Sequence, residues 1–254
     1  MPSSPDHYHT NVPNAQQFFE MRHELINDLA SIDRSQAVTV LRELIPKKFE
    51  YVWTWRGVPV IRMPEDLMLQ QEIIVSEKFT QIIEIGIARA GGLLFAADMQ
   101  SIAGIKTPRV IGVDRLIFNH AREALEASGA MDSFVLIEGD SLDSGTLDLV
   151  AQELDPNEKS LLILDSSHHE DHVRAELELY GEVLAPGSIV VICDTLIDEM
   201  GKGFFPERPW NDGRGPLAAV SSFLRENHER WEQVPYYGRR GFLTGIRDGI
   251  IRKL

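Results

Sequence analysis

With a single cysteine in 254 residues, Cys193, the chain has no internal disulfide, so its core must hold the fold, and this fits a reducing compartment. Basic residues are also scarce: 25 Lys and Arg stand against 39 Asp and Glu, and the formal net charge of -14 repels phosphate backbones and anionic lipid surfaces. Neither nucleic acid nor a membrane is an expected partner, and the short pairs Lys47-Lys48 and Arg239-Arg240 read as solvated faces. No apolar run approaches the length of a membrane span, and Met1 to Thr10 lacks the basic-then-apolar order of an export signal, so a cytoplasmic protein is expected. The three-glycine dinucleotide fingerprint is missing too: after Gly86 come Ala88 and Gly91, which breaks G-x-G-x-x-G and disfavours a nicotinamide-dependent oxidoreductase.

What is present is a regular alternation of apolar runs and amphipathic stretches. Strands are expected at 81–85, 109–114, 134–138, 161–165 and 188–193, with helices at 91–102, 117–128, 144–154 and 170–183 between them. Such βα units imply right-handed crossovers and a doubly wound parallel sheet. Two short runs, Glu232–Tyr236 and Gly241–Ile246, joined by Tyr237-Gly238-Arg239-Arg240, read as a C-terminal hairpin. The expected fold class is therefore α/β: Rossmann-like, mainly parallel and seven-stranded, with an antiparallel hairpin at its end. Ahead of it, residues 1 to about 12 read as a lead-in, and apolar spacing over 15–45, broken at 31–35, predicts two helices that cover a sheet edge or make a subunit contact. A homo-oligomer is expected. The segment Tyr51–Val60 reads as a short strand or hairpin carrying two exposed-type aromatics, with a helix from Pro64 to about Ser76 after it. The division is a helical arm over 1–50 and a cofactor-binding domain over 51–254.

Ligands of open α/β sheets gather at the carboxyl ends of the strands. Each predicted strand here closes on a carboxylate: Glu84, Asp114, Asp140 just past the third, Asp165 and Asp194. One such acid is commonly a helix cap, but five in succession point to a site. Asp114 lies 30 positions after Glu84, where a carboxylate can take both hydroxyls of a ribose. Asp140-Ser141 can receive an adenine amino group, with Leu116 and Leu142 against the ring. Asp165 and Asp194 would end adjacent strands, where two carboxylates repel unless a proton or a hard cation such as Mg²⁺ lies between them. His168, with His169 as second choice, stands three residues past Asp165 and is placed to accept a proton, since histidine titrates near physiological pH. The loop Leu196–Arg214, carrying Phe204, Phe205 and Trp210, is long enough to close over a substrate.

The stretch Gln81–Gly92 resembles the first motif of class I S-adenosylmethionine-dependent methyltransferases. The ordered set Trp55-Arg56-Gly57, Glu84-Ile85-Gly86, Val110–Arg115, Glu138-Gly139-Asp140, Leu164–His168 and Cys193-Asp194-Thr195 resembles the cephalosporin hydroxylase family, which includes rhamnosyl O-methyltransferases. The resemblance runs from about residue 50 to the C-terminus and implies a sugar or sugar-bearing small molecule as acceptor, in natural-product biosynthesis. It implies S-adenosyl-L-methionine as cofactor, held by Glu84, Gly86, Ala88, Gly91, Asp114, Arg115, Asp140, Ser141 and Asp165, and Mg²⁺ held by Asp165 and Asp194, with Asp165 and His168 catalytic. No iron triad or flavin motif supports the hydroxylation in the family's name. One departure stands out: the family often has Glu-Asp after the fifth strand, where this chain has Cys193-Asp194, and a thiol is a poor ligand for a hard cation. Asp198, Glu199 or Asp212 could replace the missing ligand; otherwise the chain could be a cofactor-binding partner protein without activity.

Overall fold

A computed structural model describes residues 14–254; the expected lead-in lies outside them. Helices α1 (Ala15–Ala30) and α2 (Ser35–Leu44) fill the expected N-terminal span. Asn14 starts α1 through a reciprocal capping box: its side chain accepts from the Gln17 N–H at 2.9 Å, and Gln17 accepts from the Asn14 N–H at 3.0 Å. Two 3₁₀ turns lead into a hairpin of β1 (Thr54–Trp55) and β2 (Val58–Pro59), followed by α3 (Pro64–Glu77). Trp53 and Trp55 are not exposed. Both are partly buried, and the Trp55 indole donates to Asp98 while its ring meets Phe95 edge-on.

The alternation then runs β3 (Gln81–Ile85), α4 (Gly91–Ile102), β4 (Val110–Asp114), α5 (Asn119–Ala127), β5 (Phe134–Glu138), α6 (Ser144–Gln152), β6 (Ser160–Leu164), α7 (Glu170–Val183) and β7 (Ile189–Ile192). After it come α8 (Leu196–Met200), α9 (Pro216–Asn227), β8 (Trp231–Gln233), α10 (Pro235–Gly238) and β9 (Ile250–Lys253). The seven-stranded sheet has the order β5-β4-β3-β6-β7-β9-β8, parallel through β7 and antiparallel at β9 and β8. Strand periodicity sorts the core into two layers. Ile82, Val110 and Leu161 pack under α3, α4 and α5, whereas Ile83, Ile111 and Leu162 pack under α6, α7 and α9. The chain runs outward in opposite directions from β3 and β6, so a crevice opens at their carboxyl ends.

The C-terminal hairpin is real, but its second strand forms at 250–253 rather than at 241–246. Asp66 explains the shift: it accepts from the Thr244 hydroxyl and from the Gly245 N–H at 3.0 Å, which pins that segment to α3 and away from the sheet. Ile250 and Ile251, both fully buried, supply the pairing strand instead. Of the late arginines, Arg240 is withdrawn from solvent by pairing with Glu72 at 2.6 Å, whereas Arg239, paired with Asp248 at 2.6 Å, stays 41% exposed. The arm is tied down by Arg22–Glu72 at 2.7 Å and by Leu41, which packs with Met63, Leu196 and Met200. Among the described residues, no helix is long and apolar enough to cross a membrane.

Candidate active site

Four strand ends, those of β4, β3, β6 and β7, are locked side by side at the crevice. Gly86 N–H donates to the Val113 carbonyl at 2.8 Å, Asp165 N–H to Ile85 at 2.8 Å and Cys193 N–H to Leu164 at 2.9 Å, so the ladder continues one residue past β3, β6 and β7. Gly86 has φ +91, and a Cβ there would sit 2.2 Å from the Asp165 carbonyl oxygen. That close approach leaves room above it for a cavity of about 360 Å³ lined by Gly86, Ala88, Asp114, Arg115, Ser141 and His172, among others.

The expected cofactor residues divide into two groups. Gly86, Ala88, Asp114, Arg115, Ser141 and Asp165 line this cavity. Asp114 Oδ2 accepts from the Ile87 and Ala88 N–H groups at 3.0 and 3.3 Å, and Oδ1 from Leu116 N–H at 3.2 Å, so it also shapes the turn after β3. Glu84, Gly91 and Asp140 stand elsewhere. Glu84 precedes the last strand residue and is buried with Arg62 at 2.9 Å. Gly91 permits helix–hairpin packing, since a Cβ would lie 2.2 Å from the Pro59 carbonyl oxygen. Asp140 turns outward to accept from Leu142 N–H at 3.0 Å and to face Arg115 at 3.5 Å, and Leu116 and Leu142 are exposed.

Asp165, His168 and Asp194 come together: one ligand atom of each lies within 4.8 Å of the others. His168 Nε2 lies 3.1 Å from Asp194 Oδ2, and the Trp210 ring meets the imidazole edge-on at 4.9 Å, which fixes its plane. Asp165 is not a helix cap: α7 is capped by His169, whose Nδ1 accepts from Asp171 N–H at 3.4 Å. Burial raises the Asp165 carboxyl above its ordinary range; Arg62 opposes this and Asp194 reinforces it. Cys193 is buried beside the cluster and its thiol is pushed well up, first by burial and then by Asp165, so it stays protonated and unsuited to a hard cation. The suggested substitutes are engaged elsewhere. Asp198 accepts three N–H groups at the start of α9, Glu199 faces Arg34, and Asp212 pairs with Arg214.

Sequence reasoning missed Arg62. Its guanidinium donates to Glu84 at 2.9 Å, Asp165 at 3.1 Å and Gln70 at 2.9 Å, with the side chain 4% exposed. Burial works against this cation, but Glu84 and Asp165 more than offset it and hold the group charged. Burial also pushes Glu84 up to about 7 against the pull of Arg62, as expected where two acids share one cation. A lone arginine inside Val60-Ile61-Arg62-Met63 was the available signal, since an unpaired charge does not stay in an apolar run.

A second cavity of about 500 Å³ adjoins the first, and both are lined by Gly86, Ala88, Asp165 and Ser166. Its walls combine Tyr51, Phe204, Phe205 and Trp210 with Glu50, His168 and Asp194. The expected loop 196–214 is helical over its start, as α8, and both α8 and the segment after it line the site.

The model of one family, described as Rhamnosyl O-methyltransferase/CmcI, matches residues 47–254. A rhamnosyl O-methyltransferase of Mycobacterium leprae is 27% identical over 212 residues, spanning 80% of this chain and 86% of the relative. One of Mycobacterium bovis is 28% identical over 211 residues, spanning 76% and 79%. Among solved structures, one described as cmcI-D160 Mg-SAM superposes with a TM-score of 0.57 at 18% identity, covering 80% of this chain and 77% of the other. The O-methyltransferase TomG from Streptomyces achromogenes, in complex with S-adenosylmethionine, superposes at 0.51 with 15% identity over 95% and 99%. At these identities the structural likeness is one of fold.

Proposed function

This chain belongs to the Rhamnosyl O-methyltransferase/CmcI family of S-adenosylmethionine-dependent O-methyltransferases, and from that premise we propose that its acceptor is a hydroxyl of a sugar or sugar-bearing small molecule. The observation that carries this reading is the pair of cavities meeting at Gly86, Ala88, Asp165 and Ser166, which would set a donor in one against an acceptor in the other. Aromatic walls beside carboxylates suit a ring with apolar faces and hydroxyl edges. A role in natural-product biosynthesis, in the cytoplasm and as a homo-oligomer, belongs to the same reading, with 1–50 as an arm and 51–254 as the catalytic domain.

The first cavity fits the cofactor: its glycine-bounded floor and the Asp114 carboxylate suit a nucleoside. When bound, S-adenosylmethionine supplies an electrophilic methyl group on sulfur. The rest falls to the chain. Asp114 takes the ribose hydroxyls, and Ser141 lies at the base end. Asp165 and Asp194 would hold Mg²⁺, two oxygen donors that suit a hard cation and orient the acceptor oxygen. His168, whose Nε2 lies 3.1 Å from Asp194 Oδ2, takes the acceptor's proton. Trp210 and the loop around it exclude water from the joined cavities.

Methyl transfer from isotopically labelled S-adenosylmethionine to a panel of glycosides and simple phenols tests the acceptor class. Label on a sugar hydroxyl is expected; label confined to phenols would overturn the sugar reading. Asp114→Ala should weaken binding of S-adenosylhomocysteine by about 1.5 to 3 kcal/mol, the loss of a charge-assisted pair. Calorimetry checks this, and an unchanged affinity removes the ribose role. Chelation should lower the methylation rate and Mg²⁺ restore it, while S-adenosylhomocysteine affinity holds. Cys193→Glu should tighten Mg²⁺ binding, because it supplies a hard oxygen beside Asp165 and Asp194. A rate indifferent to chelator in metal-free protein would rule the cation out.

A further inference from the structure

Beneath the base end of the first cavity lies a buried carboxylate, Glu176, that the proposed chemistry does not use. Glu176 on α7 is fully buried, 0% exposed, and among the described residues faces no lysine or arginine at bonding distance. One of its oxygens, Oε1, receives everything: the Ser141 hydroxyl donates at 2.6 Å, the Ser166 hydroxyl at 2.6 Å, and His172 Nε2 lies at 3.1 Å. The other, Oε2, is buried without a partner among the described residues. Ser141, Ser166 and His172 all line the cavity, on three different segments: the turn after β5, the turn after β6 and the first turn of α7.

A carboxylate only accepts, so its neighbours must donate. A serine hydroxyl has one hydrogen. Once that hydrogen is committed to Glu176, the oxygen can present only lone pairs to anything in the cavity. With a hydrogen on Nε2, His172 donates to the same carboxylate, and that nitrogen also lies 3.3 Å from Ser141 Oγ. Two serine oxygens converging as obligate acceptors fit a ligand edge that carries N–H groups. They reject one that carries a carbonyl oxygen, for which no hydroxyl hydrogen remains. The exocyclic amino group of adenine is the first kind of edge; the deaminated base, hypoxanthine, puts a carbonyl in that place.

We propose that Glu176 is a positioning residue for the cofactor's base: by taking the hydrogens of Ser141 and Ser166 it turns the cavity floor into an acceptor surface that selects adenine over its deaminated form. This rests on the methyltransferase reading and names how that site distinguishes its nucleoside. The glutamate does not touch the cofactor; it acts through the two hydroxyls. A glutamine in its place can offer an amide N–H to the serines, freeing their hydrogens to turn toward the cavity.

The test is calorimetry of S-adenosyl-L-homocysteine and of its deaminated analogue, S-inosyl-L-homocysteine, on the full chain. Wild type is expected to prefer the adenosyl ligand by about tenfold or more, the scale of one or two buried hydrogen bonds. Ser141→Ala should lose most of that preference by weakening the adenosyl ligand alone. Glu176→Gln should bring the ratio of the two affinities near one, and Glu176→Asp should restore part of it. A purely structural role for Glu176 would weaken both ligands together and leave their ratio unchanged, which would overturn the proposal. Equal binding of the two ligands to wild type would overturn it as well. Should Glu176→Gln fail to fold, the ratio in Ser141→Ala decides. Wild type that binds neither ligand would instead refute the cofactor reading beneath the proposal.

Discussion

Arg62→Ala destabilises the protein by about 3 to 5 kcal/mol, because it leaves Glu84 and part of Asp165 as buried acids without a cation. The magnitude follows from asymmetry. An intact buried pair adds little net stability, since desolvation nearly cancels its attraction, but removing one partner exposes the full desolvation cost of the other. Glu84 is 2% exposed, with Oε2 already lacking a partner among the described residues, so bulk water cannot reach it. Urea unfolding measures the loss. The double variant Arg62→Met with Glu84→Gln separates charge from packing. It should recover more than half of the loss, because the stranded charge is gone while the volume is kept. A single variant as stable as wild type would show that Glu84 and Asp165 do not depend on this guanidinium.

Arg62 also marks the boundary of what could be read from the chain alone. Its partners lie 22 and 103 positions away, and nothing local announces them. The strands were legible because β-branched residues in runs bounded by turn residues have few alternatives, and β3, β5, α4 and α7 fall at their expected limits. Strand ends were legible for the same reason, and with them Asp114, Asp165 and Asp194. Glu84 misled because an acid one residue inside a strand looks, in sequence, like an acid at its end; Ile85 after it decides that the carboxylate is enclosed rather than presented. The last strand was misplaced because Asp66, far away in the chain, claims the backbone at Gly245. Gly91 was read as a ligand contact when its missing Cβ serves the β1–β2 hairpin. In each case a long-range polar contact or a close backbone approach overrode a sound local pattern.

His168→Ala should lower the methylation rate by about 10² to 10⁴ and leave S-adenosylhomocysteine affinity unchanged, the usual scale for losing a positioned general base. Position is the basis of this expectation. The imidazole lines the second cavity together with Asp165, its Nε2 lies 3.1 Å from Asp194, and Trp210 braces the ring, so the ring has one orientation. Asp194→Asn should then cost rate as well, since it removes the carboxylate charge 3.1 Å from the imidazole. His169→Ala serves as the control. That residue caps α7 through its own Nδ1, so its loss should reduce stability modestly and spare turnover. The competing account gives the proton to bulk water and lets the cation held by Asp165 and Asp194 acidify the hydroxyl by itself. The two accounts diverge in the pH–rate profile. If His168 is the base, its removal abolishes the rise in rate with pH on the acidic limb. If the cation suffices, His168→Ala keeps near-normal turnover and the same profile, and His168 is then a wall of the acceptor cavity rather than part of its chemistry.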